Sequence, residues 1–201
     1  MSPGLTFERV YHSLKEQLGS GRFSAGEHLE PAVLSEDLCA SITPVRDALH
    51  RLVGEGLVEA PRGDGFRTPI VTEVGLRHLY RWNATVLDTA ARAHGRGGVE
   101  QASDAAEIEE PAFPAERFFL AIGARAGNPE LVATIARLND RLRPVRRVEQ
   151  EVPAGLANEI ADMGKELAGG QMGALRRSLA AYHRRRERVV DEIVAILVAS
   201  R

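Results

Sequence analysis

Residues 34–67 read LSEDLCASITPVRDALHRLVGEGLVEAPRGDGFR, and the reading of this stretch organises the rest of the chain. Leu34 and Leu38, four apart, give a short first helix one buried stripe. Ser41 or Thr43 is placed to cap a second helix, and Pro44 suits a first turn, where a missing N–H costs little. Val45, Leu49, Leu52 and Val53 then recur on one helical face. Thr43, Arg46, Asp47 and His50 fall on the opposite face, and Gly54 and Gly56 end the helix. Leu57–Ala60 and Phe66–Thr68 predict two strands around Pro61-Arg62-Gly63-Asp64-Gly65, a turn rich in residues that tolerate positive φ. A helix that is apolar behind and carries Thr, Arg and His in front has the form that enters a DNA major groove.

The same residues resemble the winged helix-turn-helix of GntR-type bacterial transcription regulators, in particular those with an all-helical FCD effector domain. The likeness runs through Thr43-Pro44-Val45-Arg46-Asp47-Ala48-Leu49 and again through Glu55-Gly56-Leu57-Val58. Phe7–Tyr11 and Gly21–Leu29 are also similar to the family, whose first helix braces the recognition helix. The resemblance implies operator contacts from Ser41, Thr43, Arg46, His50, Arg62 and Gly63. Where the family usually has Arg before the Thr-Pro pair this chain has Ile42, which implies a different operator or weaker binding.

At 201 residues, a DNA-reading segment of about 70 leaves about 130 for a second domain, so the expected division is 1–72 and 73–201. Residues 1–72 carry seven Lys and Arg against ten Asp and Glu, the reverse of the usual basic surplus of a phosphate binder. Arg46, Arg51, Arg62 and Arg67 nevertheless cluster in the recognition helix and wing, so the expectation is modest affinity with a shallow salt dependence. The one cysteine, Cys39, excludes an internal disulfide and a Cys-based zinc site, and it is expected to pack the core. No apolar run approaches the roughly 20 residues of a membrane span and no signal-peptide pattern is present, so a cytoplasmic protein is expected.

Outside the opening stretch the pattern is helical, so the expected fold is mainly α: an N-terminal winged helix-turn-helix and a C-terminal antiparallel all-helical bundle. Phe7, Val10, Tyr11, Leu14 and Leu18 mark a helix over 5–19. Arg9 is equally suited to a phosphate contact and to a solvated surface role. Thr72 is placed to cap a helix running to about His94. Residues 95–113 read as a loop or a poor helix, in an interval where the FCD pattern has a further helix. Pro114 opens the next helix, and FFLAIGARAGNPELVATIARLNDRL (118–142) carries the second FCD resemblance. Pro144 is expected to kink a helix whose stripe is Leu131, Ile135, Leu138, Leu142 and Val145. Helices over 156–168 and 171–199 complete the bundle.

FCD domains often hold a divalent metal through one Asp and three His, which in turn binds a carboxylate effector. In this chain those positions fall near Ala115, Phe119, Glu159 and Ala181. Glu116 is one residue off, and His183, two residues off, is expected on the far face of its helix. No metal and no cofactor are therefore expected. A small organic effector held without metal would draw on Arg81, Asn83, Phe119 and Glu159, whose bland alternatives are a helix flank for Asn83 and plain core for Phe119. The run His183–Arg188 reads as solvated surface. An enzyme using Glu116, Glu159 and His183 lacks any recognisable nucleophile or metal spacing. The remaining readings are a transcription regulator that binds a palindromic operator as a homodimer, and a winged-helix and helical-bundle protein-interaction module with weak or no DNA binding.

Overall fold

The structure is a computed structural model and describes residues 3–93, 113–152 and 159–199. Nine helices are present among the described residues: α1 Pro3–Gly19, α2 Pro31–Asp37, α3 Ile42–Glu55, α4 Glu73–Ala93, α5 Pro114–Arg125, α6 Pro129–Glu149, α7 Glu159–Ala168, α8 Met172–Arg188 and α9 Val190–Ala199. The chain divides into two compact units, Met1–Val71 with Ile196–Arg201, and Thr72–Ala195.

In the first unit, α1 lays Val10, Tyr11 and Leu14 against Val45, Ala48, Leu49 and Leu52 of α3, with Leu34 and Leu38 closing the third side. The i, i+4, i+7 spacing on α3 thus becomes a fully buried stripe. Gly56 ends the helix in the left-handed region at φ 74°, and Leu57 N–H bonds back to Leu52 O at 3.0 Å. Gly54 lies inside the helix and does not end it.

Several local expectations are corrected here. Ser41 occupies the N-cap position, but its side chain makes no capping bond, and Thr43 lies inside the helix. Cys39 is exposed at φ 47°, so it forms part of the turn between α2 and α3 and does not pack the core. The two wing strands shrink to single antiparallel bridges: Glu59 and Arg67 exchange N–H···O bonds of 2.8 and 2.9 Å. A third segment, unforeseen from the sequence, pairs on the other side. Leu29 N–H bonds Phe66 O at 2.8 Å and Thr68 N–H bonds Glu27 O at 2.9 Å. The Thr68 hydroxyl, accepting from Glu27 N–H and donating to Ser24 O, fixes that loop.

The second unit is built on α4–α8. Val86, Leu87, Ala90 and Ala91 of α4 share a core with Phe118, Phe119 and Ile122 of α5, Ile135 and Leu138 of α6, Met163 and Leu167 of α7, and Leu175, Leu179 and Tyr182 of α8. Thr72 caps α4 as expected, its hydroxyl accepting from Gly75 N–H at 3.1 Å. Asn128 does the same for α6 through Glu130 N–H. Pro144 lies within α6, which continues to Glu149. Residues 94–112, which take in all but Phe113 of the 95–113 interval expected to be a loop or poor helix, and 153–158 lie outside the described residues.

The single helix expected over 171–199 is two helices, parted at Val189 (φ −111°, ψ 20°). No Gly or Pro marks the break. Arg77 of α4 donates to Glu187 O, just before the break. No described helix is long and apolar enough to cross a membrane.

Candidate functional site

α3 is anchored by its apolar stripe, and that anchoring decides what its other face presents. Ser41, Thr43, Arg46 and His50 are all exposed, as are Arg62 and Gly63 in the turn beyond it. The His50 ring stands edge-on to Phe66 at 4.9 Å, which ties the recognition face to the wing. Gly63 sits at φ 80° with open space where a Cβ would project, so its role is the turn itself and the close backbone approach it permits. Ile42, at the position of the family's Arg, is 47% exposed.

The cations of the first unit fall into two groups. Arg22 pairs with Asp37 at 2.6 Å, and Arg51 pairs with Glu8 and Glu55 while stacking over Tyr11 at 3.8 Å. Arg67 pairs with Glu59 and Asp64. Arg9 donates to Leu38 O and Cys39 O, bracing the α2–α3 turn from α1. Arg51 and Arg67, expected to join the DNA-facing cluster, are thus held by neighbouring carboxylates. Among the described residues Arg46 and Arg62 have no side-chain partner, and both are exposed. Carboxylates hold Arg22, Arg51 and Arg67, backbone carbonyls hold Arg9, and the Arg46 and Arg62 side chains stay available. Asp47, exposed beside Arg46, would repel phosphate and accept from an exposed cytosine amino group.

The second unit carries a buried polar core, most of which is unforeseen from the sequence. Both oxygens of Glu116 (α5) accept from guanidiniums of α6: Arg146 at 3.3 Å and Arg143 at 3.2–3.3 Å. Arg146 also donates to Asn139 at its side chain and carbonyl, and Asn139 donates to Glu116 O. On the other side Tyr80 O–H bonds Glu149 at 2.5 Å, Arg186 bonds Glu149 at 2.9 Å, and Arg186 bonds Glu159 at 2.9 Å. Asn139, Arg143, Arg146 and Glu149 recur at helical spacing beside the apolar stripe of α6. That spacing was the available signal, masked because Arg and Glu are ordinarily solvated.

His183 corrects the sequence reading. It does not lie on the far face: it is 2% exposed and stacks on Phe119 with ring centroids 6.3 Å apart. Nδ1 lies 2.7 Å from Leu179 O, while Nε2 has no partner. Burial lowers its pKa from 6.5 to about 4, the Leu179 carbonyl opposes that, and the Arg186 and Arg146 charges reinforce it. The folded state therefore holds this imidazole neutral, and stability falls as pH drops through the interval where only the unfolded chain takes up the proton. Burial and the Glu149 charge push the Tyr80 hydroxyl well above its ordinary value. Arg186, 3% exposed, also contradicts the expected solvated run.

Of the effector candidates, Phe119 is fully buried and Asn83 is 2% exposed. Glu159 is engaged by Arg185 and Arg186. Arg81 is exposed and pairs with Glu187 at 3.0 Å, so it lies apart from this buried group. Among the described residues no three His, Cys, Asp or Glu side chains converge to hold a metal ion.

The family model described as bacterial regulatory proteins, gntR family, matches residues 6–67. The HTH-type transcriptional regulator McbR of Escherichia coli (strain K12) is 31% identical over 153 residues, 68% of either chain. The Nta operon transcriptional regulator of Aminobacter aminovorans is 26% identical over 143 residues, 65% of this chain and 68% of its own. Among solved structures, E. coli McbR/YncC is similar with a TM-score of 0.69 at 24% identity, covering 93% of this chain and 97% of that one. A GntR protein from Rhodococcus sp. RHA1 gives 0.71 at 17% identity, covering 92% and 96%.

Proposed function

The chain belongs to the GntR family of bacterial regulatory proteins and is a DNA-binding transcription regulator, and we propose that it grips a palindromic operator through α3 and the wing turn. The family is one of transcription regulators rather than enzymes. Thr43 and Arg46, near the N-terminus of α3, reach furthest into the major groove. Ser41 and His50 flank them, and Arg62 with Gly63 follows the adjacent backbone. The observation that carries this reading is the division of cations: Arg46 and Arg62 alone keep unpaired guanidiniums on that face among the described residues. With so few free cations the salt dependence of binding should be shallow.

Arg46→Ala should weaken operator binding by about 1–3 kcal/mol, roughly 5- to 150-fold, with the unfolding midpoint unchanged. Fluorescence anisotropy with labelled operator DNA measures the first and urea unfolding the second. Unaltered affinity would remove Arg46 from the interface.

The proposal extends to a homodimer, because one helix in one groove reads too few base pairs and a two-fold protein matches a palindrome. Light scattering at micromolar concentration should give about twice the 21.9 kDa chain mass. A monomer both with and without DNA would contradict it. It extends further to cytoplasmic repression relieved by a small organic effector, bound without metal in the second unit. The resemblance to FCD effector domains and the burial of Asn83 and Phe119 support that extension.

A further inference from the structure

The FCD resemblance implies a divalent metal in the second unit, and the residues present can be tested for fit. Glu116 gives one oxygen to Arg146 and both to Arg143. Glu159 gives one oxygen to Arg185 and the other to Arg186. The Nδ1 atom of His183 is taken up by Leu179 O. One nitrogen, His183 Nε2, is left without a partner, and the fully buried Phe119 ring lies across that imidazole. Zinc and its neighbours in the transition series need three or four N, O or S donors to repay their dehydration. One imidazole nitrogen does not supply that, so the donor set does not fit a metal.

We propose that the buried guanidinium of Arg186 does the cross-linking work of that metal ion, so that the second unit folds and stays closed with no divalent cation. Arg186 Nε binds Glu149 of α6 at 2.9 Å, and its Nη1 binds Glu159 of α7 at 2.9 Å and Tyr182 O of its own helix at 3.3 Å. The Tyr182 ring lies 3.3 Å from the guanidinium carbon and covers its face. Through Glu149 the link reaches Tyr80 of α4 at 2.5 Å. One cation thereby ties four helices, as a coordinated ion would, and a planar fork with five donors is suited to two carboxylates at once. Arg143 and Arg146 perform the same task for Glu116 between α5 and α6.

The charges also balance. Arg143, Arg146, Arg186 and the half-exposed Arg185 face Glu116, Asp140, Glu149 and Glu159, four against four. A divalent ion entering beside His183 would add two positive charges next to Arg146 and Arg186, and it could gain carboxylate ligands only by displacing them.

The test uses the full-length protein, purified without an affinity tag from zinc- and nickel-supplemented medium. Elemental analysis and thermal melts, with EDTA and with added Zn²⁺, are compared for wild type, Arg186→Met and Arg186→Lys. The expected metal content is far below one ion per chain, and neither EDTA nor Zn²⁺ should move the wild-type midpoint. Arg186→Met, which leaves Glu149 without a cation and Glu159 with Arg185 alone, should lower the midpoint by about 10 °C. Arg186→Lys, which keeps the charge but loses the fork, should fall between the two, and it provides the comparison should Arg186→Met not fold. Near-stoichiometric metal whose removal lowers the midpoint, or an Arg186→Lys midpoint equal to wild type, would overturn the proposal.

Discussion

Glu116→Ala should destabilise the protein by about 3–5 kcal/mol, seen as a lower urea midpoint and a thermal midpoint lower by roughly 10 °C or more. The cause is what the substitution leaves behind. Glu116 is 1% exposed and answers Arg146, itself 4% exposed, together with the partly buried Arg143. Removing the carboxylate strands a guanidinium where water cannot reach it, and the desolvation penalty is then uncompensated. Glu116→Gln should cost less, because the amide oxygen still accepts one of those bonds. Asp162→Ala is the natural control. Its ion pair with Lys165 is exposed on both sides, and its loss should leave the midpoint unchanged. Equal effects at the two positions would mean that the buried network is solvated in solution.

The second large effect is expected at Leu49, which is fully buried between α1 and α3. Leu49→Ala removes its transfer free energy and leaves a cavity that rigid helices only partly collapse, at a cost of about 2–5 kcal/mol. A unit of about 70 residues has a small core, so this is a large share of its stability. DNA binding should fail together with a loss of helical circular dichroism at moderate temperature. Arg46→Ala should instead lose binding with the fold intact. A Leu49→Ala protein of wild-type stability would show that α3 is held by something other than its apolar stripe.

These contrasts follow how the sequence encodes each part. The recognition helix was legible because Val45, Leu49 and Leu52 signal burial while Thr43, Arg46 and His50 cannot share that face. Its partner helices were legible for the same reason, through Leu34 and Leu38 and through Val10, Tyr11 and Leu14. The wing was legible as a turn, from Gly63 and Gly65, but not as to its third partner. Pairing between His28 and Arg67 joins residues 39 positions apart, and no local pattern records it.

Charged residues were read least well. Arg51 and Arg67 look like DNA ligands by position, yet their partners Glu8 and Glu59 come from α1 and the opposite side of the wing. His183, Arg186 and Arg146 look solvated by residue type, and only the packing of α5–α8 shows them buried. Cys39 looked like core because small residues suit that turn, whereas its positive φ turns it to solvent. The break at Val189 was likewise silent, since neither Gly nor Pro stands there.

Specific operator binding is the property on which this reading of the chain rests. Wild-type protein titrated with duplex DNA from upstream of its own gene should bind at least about 10³-fold more tightly than a scrambled duplex of equal length in the same salt. Equal affinity for the two duplexes, or none for either, would contradict the assignment of α3 and the wing as a sequence-reading surface and favour a protein-interaction role.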